Sequence, residues 1–365
     1  MKILHTVPAL DGGGAERILF DYTIRMLKDN QIDFVVHTET EGILEKELKK
    51  KGCKIYHIPP LRKNMKFFFM QLNKIISEGN YDVIHAAGGY RSIIELSIAK
   101  YHGIKVRIAH SHMAYIKETW FENIIRKIVT FFVKKIATDL FACGKEAAIW
   151  MWGEKLYNKG QIYVMNNAIN ISQFKFSCEK RAEIRRALGI ENKVVIGNIA
   201  RFSYQKNHEF LIKVFKEFLK ICPNAVLILI GGGELKSEIE TQIENLHLTK
   251  FVYFMGIRND VCELVNALDY FVLPSRWEGL PVTMVEVQAN GLPILASDTI
   301  TKEIRLNNNV NYLSLDIGAK EWAKFILQSL TQRTVSENLK LKYDIDNVAK
   351  NLENFYKDKL QKVRI

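Results

Sequence analysis

Short apolar runs alternate with longer amphipathic segments along the whole 365-residue chain. Typical runs are "KILHTV" at 2–7, "VRIAHS" at 106–111 and "VVIGNIA" at 194–200, and a typical intervening segment is "NHEFLIKVFKEFLKIC" at 207–222. Strands that alternate with helices predict parallel sheets covered by helices on both faces. One series of runs ends near residue 166 and a second begins at 194. The chain is therefore predicted to be α/β, with two doubly wound domains.

The polar stretch "NISQFKFSCEKRAEIRRALGIENK", at 170–193, separates the two series. We accordingly predict an N-terminal Rossmann-like domain at 1–175 and a second one at 176–346. The amphipathic segment at 347–365 follows a polar gap and could pack against either domain. We favour a C-terminal helix that packs back on the N-terminal domain.

Composition restricts the class of protein. With 48% hydrophobic residues the chain can bury a large core, and it contains no run of about 18 apolar residues that would span a membrane. We expect no signal peptide, because the sequence goes directly into a strand and a glycine turn, and the five cysteines stand singly without metal-binding spacing. We expect a cytoplasmic protein in a reducing compartment.

The formal net charge is +12, and most of the excess lies in residues 1–170, which carry 25 Lys/Arg against 17 Asp/Glu. Such a charge suits a phosphorylated substrate, an anionic membrane surface or a nucleic acid. Because no nucleic-acid-binding motif accompanies it, we expect no nucleic-acid partner.

The segment "WFENIIRKIVTFFVKK", at 120–135, allows two interpretations. Its apolar residues fall near one helical face with basic residues around them, and the aromatic cluster "KFFFMQLNKI" lies upstream. This pattern is typical of a helix that docks on anionic lipid, and equally of a helix that packs into a core. The residues concerned are Trp120, Ile124, Ile128, Phe131 and Phe132, with Arg126, Lys127, Lys134 and Lys135.

Ligands of open parallel sheets bind beyond the carboxyl ends of the strands, so the strand-to-helix loops are the candidate sites. The first loop, "PALDGGGAER", has three consecutive glycines that could bring backbone amides close to a ligand, or could serve the turn alone. The dinucleotide fingerprint fails because its third glycine is replaced by Arg17, and there is no Gly-Lys-Ser/Thr of a P-loop.

The loop "ARFSYQKNHEF" carries Arg201 and Lys206 after a strand and before a helix. Two cations in this place suit a diphosphate, although a solvated surface is the common alternative. A further glycine loop, "GGGELKSEIE", starts at Gly231. The sequence thus offers several possible anion sites.

The loop "PSRWEGLP" and the helix "VTMVEVQANG" place Glu278 and Glu286 in apolar surroundings. Buried carboxylates need hydrogen-bond donors, which the hydroxyls of a sugar and of a ribose could supply. Ion pairs with Arg258 or Arg276 are the alternative.

Taken together, "GGGAER", "ARFSYQKN", "LILIGGGE" and "FMGIRNDVCELVNALDYFVLPSRWEGLPVTMVEVQANGLPILASD" strongly resemble family-four glycosyltransferases, which are retaining enzymes. The resemblance covers nearly the whole chain and is densest over 194–303. It implies the GT-B fold, in which two Rossmann-like domains face a central cleft. Within the family the chain looks most like the branch that builds bacterial exopolysaccharide and capsule.

The resemblance also implies residue roles. Arg201 and Lys206 would hold the donor diphosphate, Glu278 the hydroxyls of the donor sugar, and Glu286 the ribose. A histidine at the end of "RIAHSHMA" would reach the transferred sugar; His112 is favoured over His110, which stays an acceptor-side candidate. The remaining expected donor-binding residues are Gly13, Gly14, Gly256, Ile257, Arg258, Gly279, Leu280 and Pro281, with Gly12 on the acceptor side.

From these roles we expect a retaining transfer without a covalent intermediate, because the matching carboxylates already bind hydroxyls. We expect no metal and no cofactor: the nucleotide sugar is a substrate, and the lone Asp344-x-Asp346 pair lies in a polar region. The expected partners are a nucleotide-diphosphate sugar, with UDP favoured over GDP, a glycan acceptor that is lipid-linked, and an anionic membrane surface. The alternatives are an epimerase or another enzyme of this fold, and a non-catalytic binding protein.

Overall fold

A computed structural model of the chain describes residues 1–11, 14–112, 119–278 and 280–362. The chain divides into two compact units: Met1–Ala168 together with Ile345–Ile365, and Ile169–Asp344. The first division lies seven residues before the boundary expected at 175, and the last segment joins the first unit from Ile345 rather than from 347.

The first unit is built on a seven-stranded parallel sheet with the order β3-β2-β1-β4-β5-β6-β7. Its strands are β1 Lys2–Val7, β2 Gln31–Val36, β3 Ile55–His57, β4 Val83–Ala86, β5 Val106–Ser111, β6 Asp139–Ala142 and β7 Ile162–Val164. Its helices up to residue 168 are α1 Gly14–Met26, α2 Glu45–Lys50, α3 Met65–Gly79, α4 Ile93–Tyr101, α5 Trp120–Ile136, α6 Lys145–Trp152 and α7 Glu154–Asn158.

The second unit repeats this plan on a six-stranded parallel sheet with the order β10-β9-β8-β11-β12-β13. Its strands are β8 Val194–Ile199, β9 Ala225–Ile230, β10 Val252–Gly256, β11 Tyr270–Leu273, β12 Ile294–Ser297 and β13 Val310–Leu313. Its helices are α8 Cys178–Leu188, α9 His208–Ile221, α10 Lys236–Asn245, α11 Val261–Leu264, α12 Val282–Ala289, α13 Ala319–Gln328 and α14 Glu337–Tyr343.

The two doubly wound Rossmann-like units confirm the predicted α/β fold class. Two predicted strands, 2–7 and 106–111, coincide with β1 and β5, because both are strongly apolar and end at polar loops. The prediction missed β13, which pairs with β12 along Val310–Leu313. This strand is short and lies between asparagines and a serine, so its local pattern is that of a loop.

The strand order positions the candidate site. In the second unit the chain winds from β8 outward to β9 and β10, and then returns to β11 on the other side of β8. The loops that leave β8 and β11 therefore diverge toward opposite faces of the sheet, and a crevice opens beyond the carboxyl ends of these two strands. The loop with Arg201 and Lys206 follows β8, and the loop with Glu278 follows β11.

The chain ends in α15, Ile345–Lys362, which packs against α1 in the first unit. Leu352 and Tyr356 of α15 are fully buried in the same core as Tyr22 of α1. Polar contacts add to this packing: Arg25 Nε lies 3.1 Å from a carboxylate oxygen of Asp346. The C-terminal helix therefore covers one face of the first sheet.

Within the described residues, no helix has both the length and the apolar character that crossing a bilayer requires.

Candidate functional site

The loops after β8 and β11 are joined by their own polar groups. Asn207, in the left-handed conformation with φ 56°, donates from Nδ2 to the carbonyl of Pro274 at 3.1 Å. The amide of Arg276 donates to the carbonyl of Gln205 at 2.8 Å. These bonds hold a 3-10 turn, Tyr204–Lys206, against the loop that carries Glu278.

Glu278 lies in this crevice and is only 7% exposed. Its carboxylate forms an ion pair with Lys206 and accepts hydrogen bonds from Ser275 Oγ at 2.7 Å and from Gln205 Nε2 at 3.3 Å. Donors from both loops thus converge on one carboxylate, which compensates for its loss of hydration.

Glu278 does form an ion pair, as the alternative interpretation predicted, but its partner is neither Arg258 nor Arg276. Arg258 binds Asp260, with 2.7 Å between Nε and Oδ1, and Arg276 stacks over the ring of Tyr204 at 4.3 Å. The partner of Glu278 is Lys206, which was assigned to phosphate. Sequence separation hid this contact, because β8 and β11 become neighbours only in the folded sheet.

Arg201 follows β8 and extends into solvent. Its guanidinium is paired with the Glu234 carboxylate at 3.0 Å, and its side chain is 73% exposed. Such an exposed ion pair contributes little to stability, so the guanidinium can exchange this partner for another anion at small cost.

Glu286 lies on α12 and, unlike Glu278, has no partner among the residues that the structure describes. Within the described ranges, no side chain or backbone amide donates to its carboxylate. Burial without compensation raises the pKa of Glu286 to about 7. A half-buried carboxyl group that lacks donors is a candidate for binding a ligand that brings its own hydroxyls.

Glycines let the loops after β8, β9 and β10 approach each other closely. Gly231 has φ +141°, and a Cβ there would lie 2.1 Å from the carbonyl oxygen of Ala200. The amide of Gly231 also donates to the carbonyl of Gly256 at 2.8 Å. The glycines of this loop therefore serve backbone packing at the rim of the crevice.

The remaining donor-side predictions occupy the same rim or lie outside the description. Ile257 is 84% exposed beside this loop, and Leu280 packs partly on the core. Pro281 is buried at the N-terminus of α12. Gly279 lies outside the described residues.

In the first unit, the histidines at the end of β5 are brought together. His110 is fully buried and its Nδ1 lies 2.9 Å from Nε2 of His85, while the rings of His110 and His112 lie 3.8 Å apart. Burial lowers the pKa of His112 to about 4, so its imidazole is neutral near pH 7. Gly12 and Gly13 lie outside the described residues, and Gly14 begins α1.

Four residues that contact Glu278 or belong to the hydrogen-bonded group of His110 were not among the sequence predictions: Ser275, Gln205, His85 and Tyr356, whose hydroxyl is bonded to His85. Ser275 and Gln205 stand inside the quoted loops but carry no charge, and His85 stands in a strand that looks purely structural. Within the described part of the chain, no three His, Cys, Asp or Glu side chains converge as metal ligands would.

Comparison with known proteins relates this architecture to glycosyl transfer. Residues 180–351 match the family described as glycosyl transferases group 1. This segment contains the crevice residues Arg201, Lys206, Glu278 and Glu286.

Two relatives resemble the chain over most of its length. EpsF of Bacillus subtilis (strain 168) is 29% identical over 335 residues, which cover 90% of this chain and 87% of that protein. The UDP-Gal:alpha-D-GlcNAc-diphosphoundecaprenol alpha-1,3-galactosyltransferase of Escherichia coli is 24% identical over 82% of this chain and 79% of its own.

Among solved structures, HepE from Anabaena, in complex with UDP and glucose, superposes with a TM-score of 0.74 at 20% identity. The match covers 97% of this chain and 99% of HepE. This similarity confirms the GT-B fold class that the sequence motifs implied.

We predict that Glu286 makes the stability of the second unit depend on pH. Its pKa is raised in the folded state, so the folded protein holds this proton more tightly than the unfolded chain does. The stabilising contribution is complete below the unfolded pKa and is lost as pH rises to about 7, by roughly 3 kcal/mol at most. Glu286→Gln should lack this loss.

Urea unfolding of the parent and of Glu286→Gln between pH 4 and 8 measures the effect. The variant should gain stability relative to the parent as the pH rises, whereas Glu240→Gln, an exchange on the exposed face of α10, controls for the loss of one charge. Parallel stability curves for the parent and Glu286→Gln would show that the Glu286 carboxyl is well solvated.

Proposed function

Because residues 180–351 match the group 1 glycosyltransferases, we propose that the protein transfers a sugar from a UDP-sugar to a lipid-linked glycan acceptor in the synthesis of a bacterial surface polysaccharide. The observation that carries the proposal is the pairing of Lys206 with Glu278 at the switch point of the second sheet, with Arg201 on the same loop. The crevice combines groups for phosphate and for hydroxyls, which are the two parts of a nucleotide sugar.

The cations act on the diphosphate. Arg201 and Lys206 can each exchange their present carboxylate partner for a phosphate oxygen. Helix α9 begins directly after the loop with Arg201 and Lys206, and α12 begins after the loop with Glu278. The backbone amides at the N-termini of both helices add positive potential to the crevice. Negative charge that develops on the departing nucleotide is stabilised in this way, and that stabilisation is the main catalytic contribution we assign.

Glu278 and Glu286 act on the two sets of hydroxyls. Once Lys206 binds phosphate, the Glu278 carboxylate is available to accept hydrogen bonds from the donor sugar. The hydrogen bond from Ser275 keeps this carboxylate in place. Glu286 takes the ribose, whose paired hydroxyls supply the donors that its carboxyl group lacks. Ribose binding therefore favours the ionised form of Glu286.

We propose that transfer proceeds with retention and without a metal. The bond from the anomeric carbon to the diphosphate oxygen breaks, the acceptor oxygen forms a bond on the same face, and the acceptor proton passes to the departing phosphate. Glu278 is bound by Ser275, Gln205 and Lys206, which supports a hydroxyl-binding role over a nucleophilic one. Two cations supply the charge that a metal ion would otherwise provide.

The identity of donor and acceptor rests on relatives. The Escherichia coli relative is named for UDP-Gal and for a diphosphoundecaprenol-linked acceptor, and HepE was crystallised with UDP and glucose. We assign the same classes of donor and acceptor to this chain, and we place its action at the cytoplasmic face of the membrane.

A surface of the first unit suits such an acceptor. On α5 the side chains of Trp120, Phe121, Ile128, Phe131 and Phe132 are each about half exposed or more, which contradicts the core-packing alternative for them, whereas Ile124 is only partly exposed. Basic residues accompany them: Lys127 is exposed, and Lys135 lies 4.3 Å over the ring of Phe131. On α3, Met65, Phe67, Phe69 and Met70 are exposed as well.

Arg126 does not belong to this surface. It is 8% exposed, its guanidinium stacks over Trp150 at 4.4 Å, and it donates to the carbonyl of that residue. The sequence grouped Arg126 with the exposed lysines because all of them lie on one helix. We propose that the remaining apolar and basic side chains of α5 dock on anionic phospholipid.

We predict that Arg201→Ala and Lys206→Ala each weaken the binding of UDP about ten- to a hundredfold, because each removes a charged hydrogen bond to phosphate. Isothermal titration calorimetry with UDP measures this. Lys236→Ala removes an exposed lysine outside the crevice and is the matched control. Affinities within twofold of the parent for both crevice variants would refute the diphosphate assignment.

We predict a different result for the two carboxylates. Glu278→Gln should leave UDP affinity unchanged or higher, since it releases Lys206, and should strongly reduce sugar transfer. Glu286→Gln should weaken both UDP and donor binding, because the ribose belongs to both. Transfer from a radiolabelled UDP-sugar, together with calorimetry, separates the two effects. Parent-like transfer by Glu278→Gln would reduce that residue to a structural ion-pair partner.

We predict that transfer survives EDTA. Initial rates are measured with the parent enzyme after dialysis against EDTA and again after Mg²⁺ or Mn²⁺ is added back. Rates within twofold of each other are expected, since Arg201 and Lys206 neutralise the diphosphate. A complete loss that either metal reverses would contradict the metal-free mechanism.

We predict that the protein cosediments with vesicles that contain anionic phospholipid at low salt and much less with neutral vesicles. Phe131→Ser combined with Phe132→Ser should remove most of this binding. Leu341→Ser, which changes an exposed apolar residue of the second unit, should leave it intact. Equal sedimentation with neutral and anionic vesicles would exclude the electrostatic part of the docking.

A further inference from the structure

Four histidines form a row on the face of the first sheet that α15 covers. His5 on β1, His85 on β4 and His110 on β5 are at most 1% exposed, and His112 follows at the carboxyl edge. Neighbouring rings along the row lie 5.1, 5.0 and 3.8 Å apart. The row therefore runs from the interior of the unit to the histidine expected to contact sugar.

Hydrogen bonds connect the middle of the row to the C-terminal helix. The hydroxyl of Tyr356 lies 2.6 Å from His85 Nδ1, and His85 Nε2 lies 2.9 Å from His110 Nδ1. Within the described residues, Nε2 of His110 and Nε2 of His112 are buried and have no partner. His5 adds a ring to the row but no hydrogen bond.

The hydrogen bonds between Tyr356, His85 and His110 link the protonation states of these three groups. Burial lowers the pKa of His85 and His110 well below the usual range, and burial raises that of Tyr356, so all three groups are neutral. Each imidazole then carries one N–H. If the phenol donates to His85 Nδ1, then His85 Nε2–H donates to His110 Nδ1, and His110 carries its proton on Nε2.

The opposite order of donors is less favourable. Each order leaves one buried donor without a partner among the described groups, the Tyr356 hydroxyl in the one and His110 Nε2–H in the other. The opposite order, however, pairs the weaker donor, an imidazole N–H, with the weaker acceptor, the phenol oxygen, whereas the phenol O–H is the stronger acid and the imidazole nitrogen the stronger base. The hydroxyl of Tyr356 therefore selects the tautomer of His110, two residues away along the hydrogen-bonded chain.

From this geometry we propose that Tyr356 and His85 are positioning residues for the transfer: they hold His110 as a single tautomer and rotamer, and His110 supports the ring of His112. His112 then presents Nε2 to a hydroxyl of the reacting sugars. This role rests on the proposed glycosyl transfer, and it makes the C-terminal helix part of the catalytic apparatus of the first unit.

The test uses Tyr356→Phe, with Tyr22→Phe as its matched control. Tyr22 is buried in the same core, and its hydroxyl donates to the carbonyl of Asn166 at 2.9 Å, so both variants lose one buried hydrogen bond. Nitrogen NMR of enzyme labelled at histidine reads the tautomer of His110 directly, because the protonated and bare nitrogens of a neutral imidazole resonate far apart. Tyr356→Phe should change the His110 nitrogen pattern, and Tyr22→Phe should not.

Kinetics provide the second readout. Tyr356→Phe should lower kcat about five- to tenfold with little change in the affinity for UDP, whereas Tyr22→Phe should keep the kcat of the parent. If Tyr356→Phe folds poorly, the nitrogen spectrum of the parent enzyme decides by itself: a proton on His110 Nδ1 instead of Nε2 would overturn the proposal.

An unchanged His110 nitrogen pattern, or equal kcat in the two tyrosine variants, would overturn the proposal. A parent enzyme that transfers no sugar would instead contradict the proposed function. The nitrogen spectra would in that case still decide whether Tyr356 selects the tautomer of His110.

Discussion

Parallel pairing of β8 with both β9 and β11 is the constraint on which the candidate site depends. A parallel strand can be joined to its neighbour only by a crossover, and crossovers to the two sides of β8 must cover opposite faces of the sheet. The loops at the carboxyl ends of β8 and β11 are thereby forced apart above the sheet and face each other across a crevice. Lys206 and Glu278 meet there, although 72 residues separate them in sequence.

The contents of the crevice follow from the cost of burying charge. Glu278 is almost fully buried, and it is tolerated because a lysine, a serine and a glutamine donate to it. Glu286 is half-buried without such donors among the described residues, and its raised pKa expresses the cost. One carboxylate is thus satisfied within the protein and the other has capacity for a ligand, which is the combination needed by a site that must bind and release a substrate rich in hydroxyls.

The first unit solves a related problem with neutral groups. Its sheet buries a row of histidines beneath α15, where charged imidazoles would be costly, and a tyrosine of that helix is hydrogen-bonded to His85, which is in turn hydrogen-bonded to His110. On its outer surface the same unit exposes aromatic side chains and lysines on α5. In the functions we propose, the interior serves the geometry of a reacting group, and the surface binds the membrane that carries the acceptor. The buried histidine row and the exposed surface of α5 both depend on helices that pack against the sheet.

By itself, the sequence determined the two parallel sheets and the loops that bear chemistry, because apolar alternation and glycine turns are local patterns that need no knowledge of the fold. Its motifs, among them those with Arg201, Lys206, Glu278 and Glu286, also sufficed for the resemblance to a glycosyltransferase family. Only the tertiary structure decided that Lys206 is the partner of Glu278, that Arg126 is buried, and that Tyr356 reaches His85. Those contacts join strands and helices distant in the chain, and their geometry depends on strand order and helix packing, which no local pattern encodes.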